Sequence, residues 1–238
     1  MRGPYGFEQN ESCQSCKMRS DGFFCQLSPA ALADFNSLKS SATYPAGTVL
    51  FLEKQDPRGV FVVCGGQVKL SISSSGGKTL ILRIAKPGEI LGLMATLSGT
   101  PYEVAAETLH PCQVAFLRRD DFLRFVAQHP ETYHAMVKQL AMFYDDACEQ
   151  LRTVGLSASA PEKLARLLLD WSSDGKDNKQ LTQVKLPLTH EEIAEFIGTT
   201  RETVTRTLGD FKSRNLLALQ GSTLTISNRP ALRAIGGG

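Results

Sequence analysis

Between Leu188 and Leu208 the chain carries two short helical patterns separated by one glycine and two threonines, and no other stretch of its 238 residues restricts the fold so tightly. Thr189 followed three residues later by Glu192 is a capping box, in which each side chain satisfies a free backbone N–H of the other, so a helix opens at His190. It runs through Ile193, Ala194 and Ile197 and stops at Gly198, since glycine takes the left-handed backbone that ends helices without strain. Only Thr199 and Thr200 precede a second helix, which begins at Arg201. Two short helices joined by a tight, glycine-bearing turn form a helix-turn-helix. Residues 161–171 give an amphipathic helix before the pair, and 181–187 a short extended stretch. After it, residues 216–220 and 223–226 flank Gly221-Ser222, a hairpin signal, so the unit is expected to carry a wing.

Projected at about 100° per residue, the second helix gathers Val204, Leu208 and Phe211 on one side as core. Arg201, Glu202, Thr205 and Arg206 gather on another, near the end where a recognition helix meets base edges. Arginine bonds guanine O6 and N7 bidentately and glutamate accepts from a base amino group, whereas a surface that binds only phosphate has little use for a carboxylate. Thr200 caps the helix and is within reach of a phosphate. The alternative is an Arg–Glu network on an ordinary surface helix. The formal net charge of +2 says little, but the tail after residue 195 carries Arg201, Arg206, Lys212, Arg214, Arg229 and Arg233 against only Glu202 and Asp210. That excess is compatible with a surface facing phosphates.

The remainder of the chain changes period twice. Residues 48–52, 60–63, 67–72, 79–84 and 113–117 are short, often alternating and β-branched, and are punctuated by Pro45-Ala46-Gly47, Cys64-Gly65-Gly66, Ser73 to Gly77 and Lys86-Pro87-Gly88. Turn signals at that spacing imply an antiparallel β-barrel or roll. Ser28-Pro29 opens a helix to about residue 39 ahead of the roll. A long helix over residues 130–154 follows it, with Tyr133, Leu140, Ala147 and Val154 at one heptad position and Met136 and Phe143 at the other, and Gln150 as a polar interruption. That seam either packs on the protein's own roll or pairs with a second copy in a coiled coil, and pairing is the expectation. The chain thus divides into a cysteine-bearing arm (1–28), a β-roll sensor (29–126), a dimerisation helix (127–156) and a winged helix-turn-helix domain (157–238), an α+β fold.

With 42% hydrophobic and 21% charged residues, and no run of about 18 apolar ones, neither a disordered nor a membrane-spanning chain is expected. The first residues lack an apolar export segment, so a cytoplasmic protein without membrane contact is expected. Six cysteines are too sparse for a disulfide scaffold and are available as thiols for metal or redox chemistry. Cys13, Cys16 and Cys25 stand in the arm and Cys112 in the roll. Cys64 and Cys148 read as packing residues, and the scattered His110, His129, His134 and His190 give no support for haem ligation.

The order of cysteine arm, roll, long helix and winged helix-turn-helix, with Arg201, Glu202 and Arg206 in the DNA-reading pattern, resembles the Crp/Fnr superfamily of transcription regulators over nearly the whole chain. The resemblance implies a homodimer that binds near-palindromic double-stranded DNA, with RNA polymerase as a further partner and no enzymatic activity. It also implies two kinds of effector. The nucleotide-binding branch holds a cyclic phosphate with a glutamate and an Arg-Ser or Arg-Thr pair; here Leu93 stands at the glutamate and Tyr102-Glu103 at the pair, so no cyclic nucleotide is expected. The anaerobic branch holds a [4Fe–4S] cluster, and Cys13, Cys16, Cys25 and Cys112 stand where its four thiolates do, with a longer gap between Cys16 and Cys25 than the enteric pattern has. A tetrahedral Zn²⁺ site from the same four, or plain buried or reactive thiols, are the other readings. A rival from another class is a redox or metal-storage protein that does not select a DNA sequence.

Overall fold

A computed structural model of the chain describes residues 5, 12–16, 27–156, 159–173, 182–186, 188–221 and 223–237. Two compact units divide it: Met1–Lys78 with Leu82–Asp146, and Thr79–Ile81 with Ala147–Gly238.

In the first unit, helix α1 (Pro29–Leu38) starts where the Ser28 hydroxyl accepts from the Ala31 amide at 3.2 Å, and it buries Ala31, Leu32 and Phe35. The strands are β1 (Ser40–Tyr44), β2 (Val49–Phe51), β3 (Gly59–Gly65), β4 (Val68–Ser73), β5 (Thr79–Ala85, whose first three residues are counted with the second unit), β6 (Ile90–Leu91), β7 (Ala105–Thr108) and β8 (Cys112–Arg118). They form two four-stranded sheets, in the orders β1-β8-β3-β6 and β2-β7-β4-β5. The two-residue period of a strand explains why β3 and β8 read as continuous apolar runs. Val60, Val62, Ala115 and Leu117 face one core, shared with Phe35, Phe122, Phe125 and Met136. Phe61, Val63, Cys112 and Val114 face the other, shared with Phe51, Leu70, Ala106 and Tyr102.

Sequence periodicity does not anticipate several elements. Helix α2 (Leu93–Ser98) opens at Gly92, which sits at φ 73° and offers no capping side chain. Helix α3 (Arg119–Gln128) continues directly from β8, and its N-cap, Arg118, makes no side-chain cap. Strands β1, β6 and β7 carry no such signal either, and β6 has only two residues, too few to show a period.

Helix α4 (Thr132–Leu151) ends in a π turn at Arg152–Leu156. Part of the expected seam packs on the roll, while Tyr133 and Ala147 of the same seam stay exposed. Met136 is buried in the first core and Leu140 packs against it. The Gln139 amide donates to the Ile90 carbonyl at 2.8 Å and accepts from the Ile90 N–H at 3.1 Å, closing the backbone of β6. The Arg83 guanidinium lies over the Phe143 ring at 4.1 Å and pairs with Glu89 and, at 3.2 Å, with Asp146. Residues 136, 140 and 143 therefore hold the helix to its own roll. Exposed Val137, Ala141, Tyr144 and Leu151, with half-exposed Cys148 between the last two, follow instead a 4-3-4-3 heptad spacing on the outward side.

The second unit contains α5 (Ala160–Ser173), β9 (Thr182–Lys185), α6 (His190–Ile197), α7 (Arg201–Ser213), β10 (Leu217–Gln220), β11 (Thr223–Ile226) and α8 (Arg229–Ile235). Its buried residues include Leu164, Leu168, Ile193, Ile197, Val204, Phe211, Leu224 and Leu232. The wing has three strands, β10-β11-β9, because the extended stretch before the helix pair joins the hairpin: Thr225 faces Ala218 on one side and Gln183 on the other. Helix α8, capped by Asn228, is a further element beyond the sequence expectation.

Candidate nucleic-acid interface

Local chemistry builds the helix pair as the sequence reading anticipates. Thr189 donates its amide to Glu192 at 2.9 Å while its hydroxyl accepts from the Glu192 amide at 3.3 Å, the reciprocal capping box. Gly198 closes α6 at φ 65°, a left-handed conformation that favours glycine, and a Cβ there would crowd Val154 Cγ1 at 3.2 Å. Thr200 is extended and its hydroxyl accepts from the Thr203 amide at 3.3 Å, opening α7.

Val204, Leu208 and Phe211 of α7 are buried, and the opposite consequence holds for the other face. Arg201, Glu202, Thr205 and Arg206 are all exposed, within the first two turns, beside the exposed cap residue Thr200. All five sequence-selected residues therefore come together. The Glu202 carboxyl is held below the usual carboxylate range by its own backbone N–H first and by the Thr200 hydroxyl second, so at neutral pH it is an ionised acceptor. The arrangement offers two guanidinium forks, one carboxylate and two threonine hydroxyls on a helix end of groove-fitting width. Sequence reasoning missed His190, whose Nδ1 lies 2.9 Å from Thr205 Oγ1 across the turn. The signal was present only as spacing, since a residue at the first position of α6 and one in the second turn of α7 meet when the two helices pack.

The roll places its candidates differently. Tyr102, at the position that the resemblance gives to the phosphate-holding arginine, is 2% exposed. Its ring stacks on Phe51 with centroids 4.0 Å apart, its hydroxyl donates to the Gly59 carbonyl at 2.8 Å and accepts from the Arg58 amide at 3.2 Å. Burial pushes its phenol up, so it stays neutral. A Cβ on Gly92 would lie 2.6 Å from that ring. Leu93 is buried in the core, and Glu103 presents a carboxylate to solvent. Tyr102 so packed offers no cation to a phosphate, and the exposed group beside it, Glu103, is an anion.

The cysteines are not gathered among the described residues, which contain no group of three or more His, Cys, Asp or Glu able to hold a metal. Cys13 opens a 3-10 turn (Cys13–Ser15) and rests against the first core; its amide donates to Asn36 Oδ1 at 3.1 Å, and Lys39 Nζ donates to its sulfur at 3.0 Å. Cys16 closes that turn. Cys112 lies in the second core, its sulfur 3.2 Å from the Gln67 carbonyl and 3.1 Å from the His110 carbonyl, between which its single hydrogen is shared. Burial pushes the Cys112 thiol up, which keeps it protonated. Cys112 pairs with Tyr44 at one end of β1, while Lys39, the partner of Cys13, precedes the other end. Cys25 lies outside the described residues. Cys64 packs against the first core, as the sequence reading has it.

Family models match two parts of the chain: a cyclic nucleotide-binding domain over residues 42–129 and a Crp-like helix-turn-helix domain over residues 162–235. A CRP-like cAMP-activated global transcriptional regulator of Mycobacterium tuberculosis is 26% identical over 212 residues, 89% of this chain and 94% of that protein. The transcriptional activatory protein AadR of Rhodopseudomonas palustris is 28% identical over 205 residues, 86% of this chain and 84% of that protein. The solved structure of FixK2 from Bradyrhizobium japonicum has the same fold, with a TM-score of 0.72 at 22% identity over 83% of this chain and 96% of that one. No helix among the described residues is long and apolar enough to cross a membrane. A roll of the nucleotide-binding type and a Crp-like winged unit, shared in that order with transcription regulators along most of their length, make this chain a member of the Crp/Fnr superfamily of DNA-binding transcription regulators.

Proposed function

We propose that the chain is a cytoplasmic, non-enzymatic, homodimeric regulator that reads a near-palindromic DNA site and does so without a cyclic nucleotide. The observation that carries the reading is the sidedness of α7: its apolar residues are spent on the core, and Arg201, Glu202, Thr205 and Arg206 share the exposed N-terminal face. Dimerisation is supported by the outward heptad row of Val137, Ala141, Tyr144, Cys148 and Leu151 on α4. A two-fold pair presents two recognition helices to half-sites about 34 Å apart. RNA polymerase is the partner that family membership implies. The test is Arg206→Ala on a selected site and on random DNA. A loss of about 1–3 kcal/mol on the selected site, with preference relaxed at one base pair, is expected. Equal losses on both would reduce Arg206 to a phosphate contact.

For the signal, the proposal is that Cys13, Cys16, Cys25 and Cys112 respond to oxidation as the thiolate set of a [4Fe–4S] cluster. The donor chemistry suits iron, since thiolate is the soft ligand such clusters take. The described geometry does not yet do so: Cys112 would first have to leave the carbonyls of Gln67 and His110 and lose its proton. Anaerobic purification followed by visible absorption and metal analysis separates the readings. Charge-transfer absorption lost in Cys112→Ser but kept in Cys64→Ser is expected; zinc without such absorption, or no metal at all, would overturn the cluster and leave the DNA-reading proposal intact.

A further inference from the structure

The first residue of α6 touches the reading face of α7. His190 Nδ1 and Thr205 Oγ1 are 2.9 Å apart, a hydrogen bond between the two helices of the pair. His190 is half-buried, whereas Thr205 is exposed between Glu202 and Arg206 on the proposed groove face. Nothing else in the capping box depends on the imidazole, because Thr189 and Glu192 make that contact themselves.

A threonine hydroxyl has one hydrogen and two lone pairs, and alone on a groove face it serves a base acceptor or a base donor equally. The imidazole removes that freedom. If Nδ1 carries a hydrogen it donates to Oγ1, and the hydroxyl hydrogen is left for a base acceptor such as guanine O6 or N7 or thymine O4. If Nδ1 is bare it accepts the hydroxyl hydrogen, and Oγ1 is left to accept from adenine N6 or cytosine N4. In both cases the bond holds Oγ1 in one rotamer, which fixes the place of the Thr205 methyl relative to a thymine methyl.

We infer that His190 is a specificity-determining positioning residue, which by holding the Thr205 hydroxyl makes the His190–Thr205 pair, rather than Thr205 alone, the reader of one base pair in each half-site. The inference rests on the proposed DNA-reading function and adds the residue that sets one of its contacts. It predicts an effect confined to one position of the site. A side chain that acts only on helix packing or on phosphate would alter affinity for all sequences alike.

The experiment is a comparison of base preference at every position of the half-site, by binding to a library of single-base variants, for the full-length parent, His190→Ala, His190→Asn, Thr205→Val and the double variant H190A/T205V. In His190→Ala the preference at one position is expected to fall about fivefold or more, the low end of what a single mismatched pair is worth, with the other positions unchanged. Asparagine, whose amide can take the place of Nδ1, is expected to restore it. Thr205→Val is expected to flatten the same position, and H190A/T205V to add nothing further. An unchanged profile in His190→Ala, a uniform loss on selected and random DNA, or additive effects in the double variant would overturn the inference while leaving DNA reading by Arg201, Glu202 and Arg206 standing. A parent that shows no base preference at any position would instead overturn the function on which the inference rests.

Discussion

The roll buries Tyr102 and Leu93, the residues that the resemblance sets at a phosphate-holding site, whereas the winged unit exposes those that the resemblance sets against DNA. Tyr102 is enclosed by Phe51, Gly59 and Gly92, and Leu93 has joined the core. Arg201, Glu202, Thr205 and Arg206 remain at the surface, with Glu202 tuned to stay ionised. A fold is fixed by its apolar pattern, which both units keep, while the chemistry of a site depends on a few polar residues that can be exchanged without disturbing that pattern. In the roll, Tyr102 and Leu93 both serve packing. Family membership therefore carries over to function residue by residue, not domain by domain.

The largest expected effects test whether the two units are separate in energy as well as in role. The single tryptophan, Trp171, lies in the second unit with its ring edge toward Phe196 at 6.2 Å. Phe211→Ala removes a fully buried ring from that unit and Tyr102→Ala one from the roll, each expected to cost about 3–5 kcal/mol. Trp171 fluorescence during urea unfolding should shift to lower denaturant for Phe211→Ala and stay in place for Tyr102→Ala, with far-UV circular dichroism reporting the roll. Equal shifts of the fluorescence transition would mean that the units unfold as one and that the contrast drawn between them is not an energetic one.

The same contrast explains what could be read from sequence. The helix pair was legible almost to the residue because its ends are written locally, in Thr189, Glu192, Gly198 and Thr200. The roll was legible as a class, yet β6 and α2 were not, because a two-residue strand has no period and Gly92 gives a helix start no side-chain signal. The α4 heptad is only partly an outward face, for a physical reason. The heptad of Met136, Leu140 and Phe143 is real, but Ile90, Arg83 and the first core take it up within the chain. Hydrophobic spacing shows that a face is buried and not by what. The contact of His190 with Thr205 needed the three-dimensional packing of two helices and no local rule supplies it.

A smaller effect sharpens the comparison through pH. Burial lifts the Glu89 carboxyl above its ordinary value of 4.5, in spite of the Arg83 guanidinium beside it. A folded pKa above the unfolded one gives stability that is present below the unfolded value and fades as pH rises through the folded one. Glu202 has the opposite sign: its lowered pKa gives a contribution present above 4.5 that is lost as pH falls through the folded value. Between mild acid and neutrality, Glu89→Gln should remove a loss of roll stability with rising pH. Below that range, Glu202→Gln should remove a loss at α7 with falling pH. Urea titrations read by circular dichroism and by Trp171 across the pH series check both signs, and a shared sign would count against the assigned environments.

The most direct measurement for the central claim is selection of binding sites from a random duplex library by the purified full-length protein, in parallel without nucleotide and with saturating cyclic AMP. The proposed reading by two α7 helices without a cyclic nucleotide predicts the same enriched near-palindrome in both arms, with half-sites one helical turn apart and guanines where Arg201 and Arg206 reach. Absence of any enriched sequence, or enrichment only when cyclic AMP is present, would contradict the account.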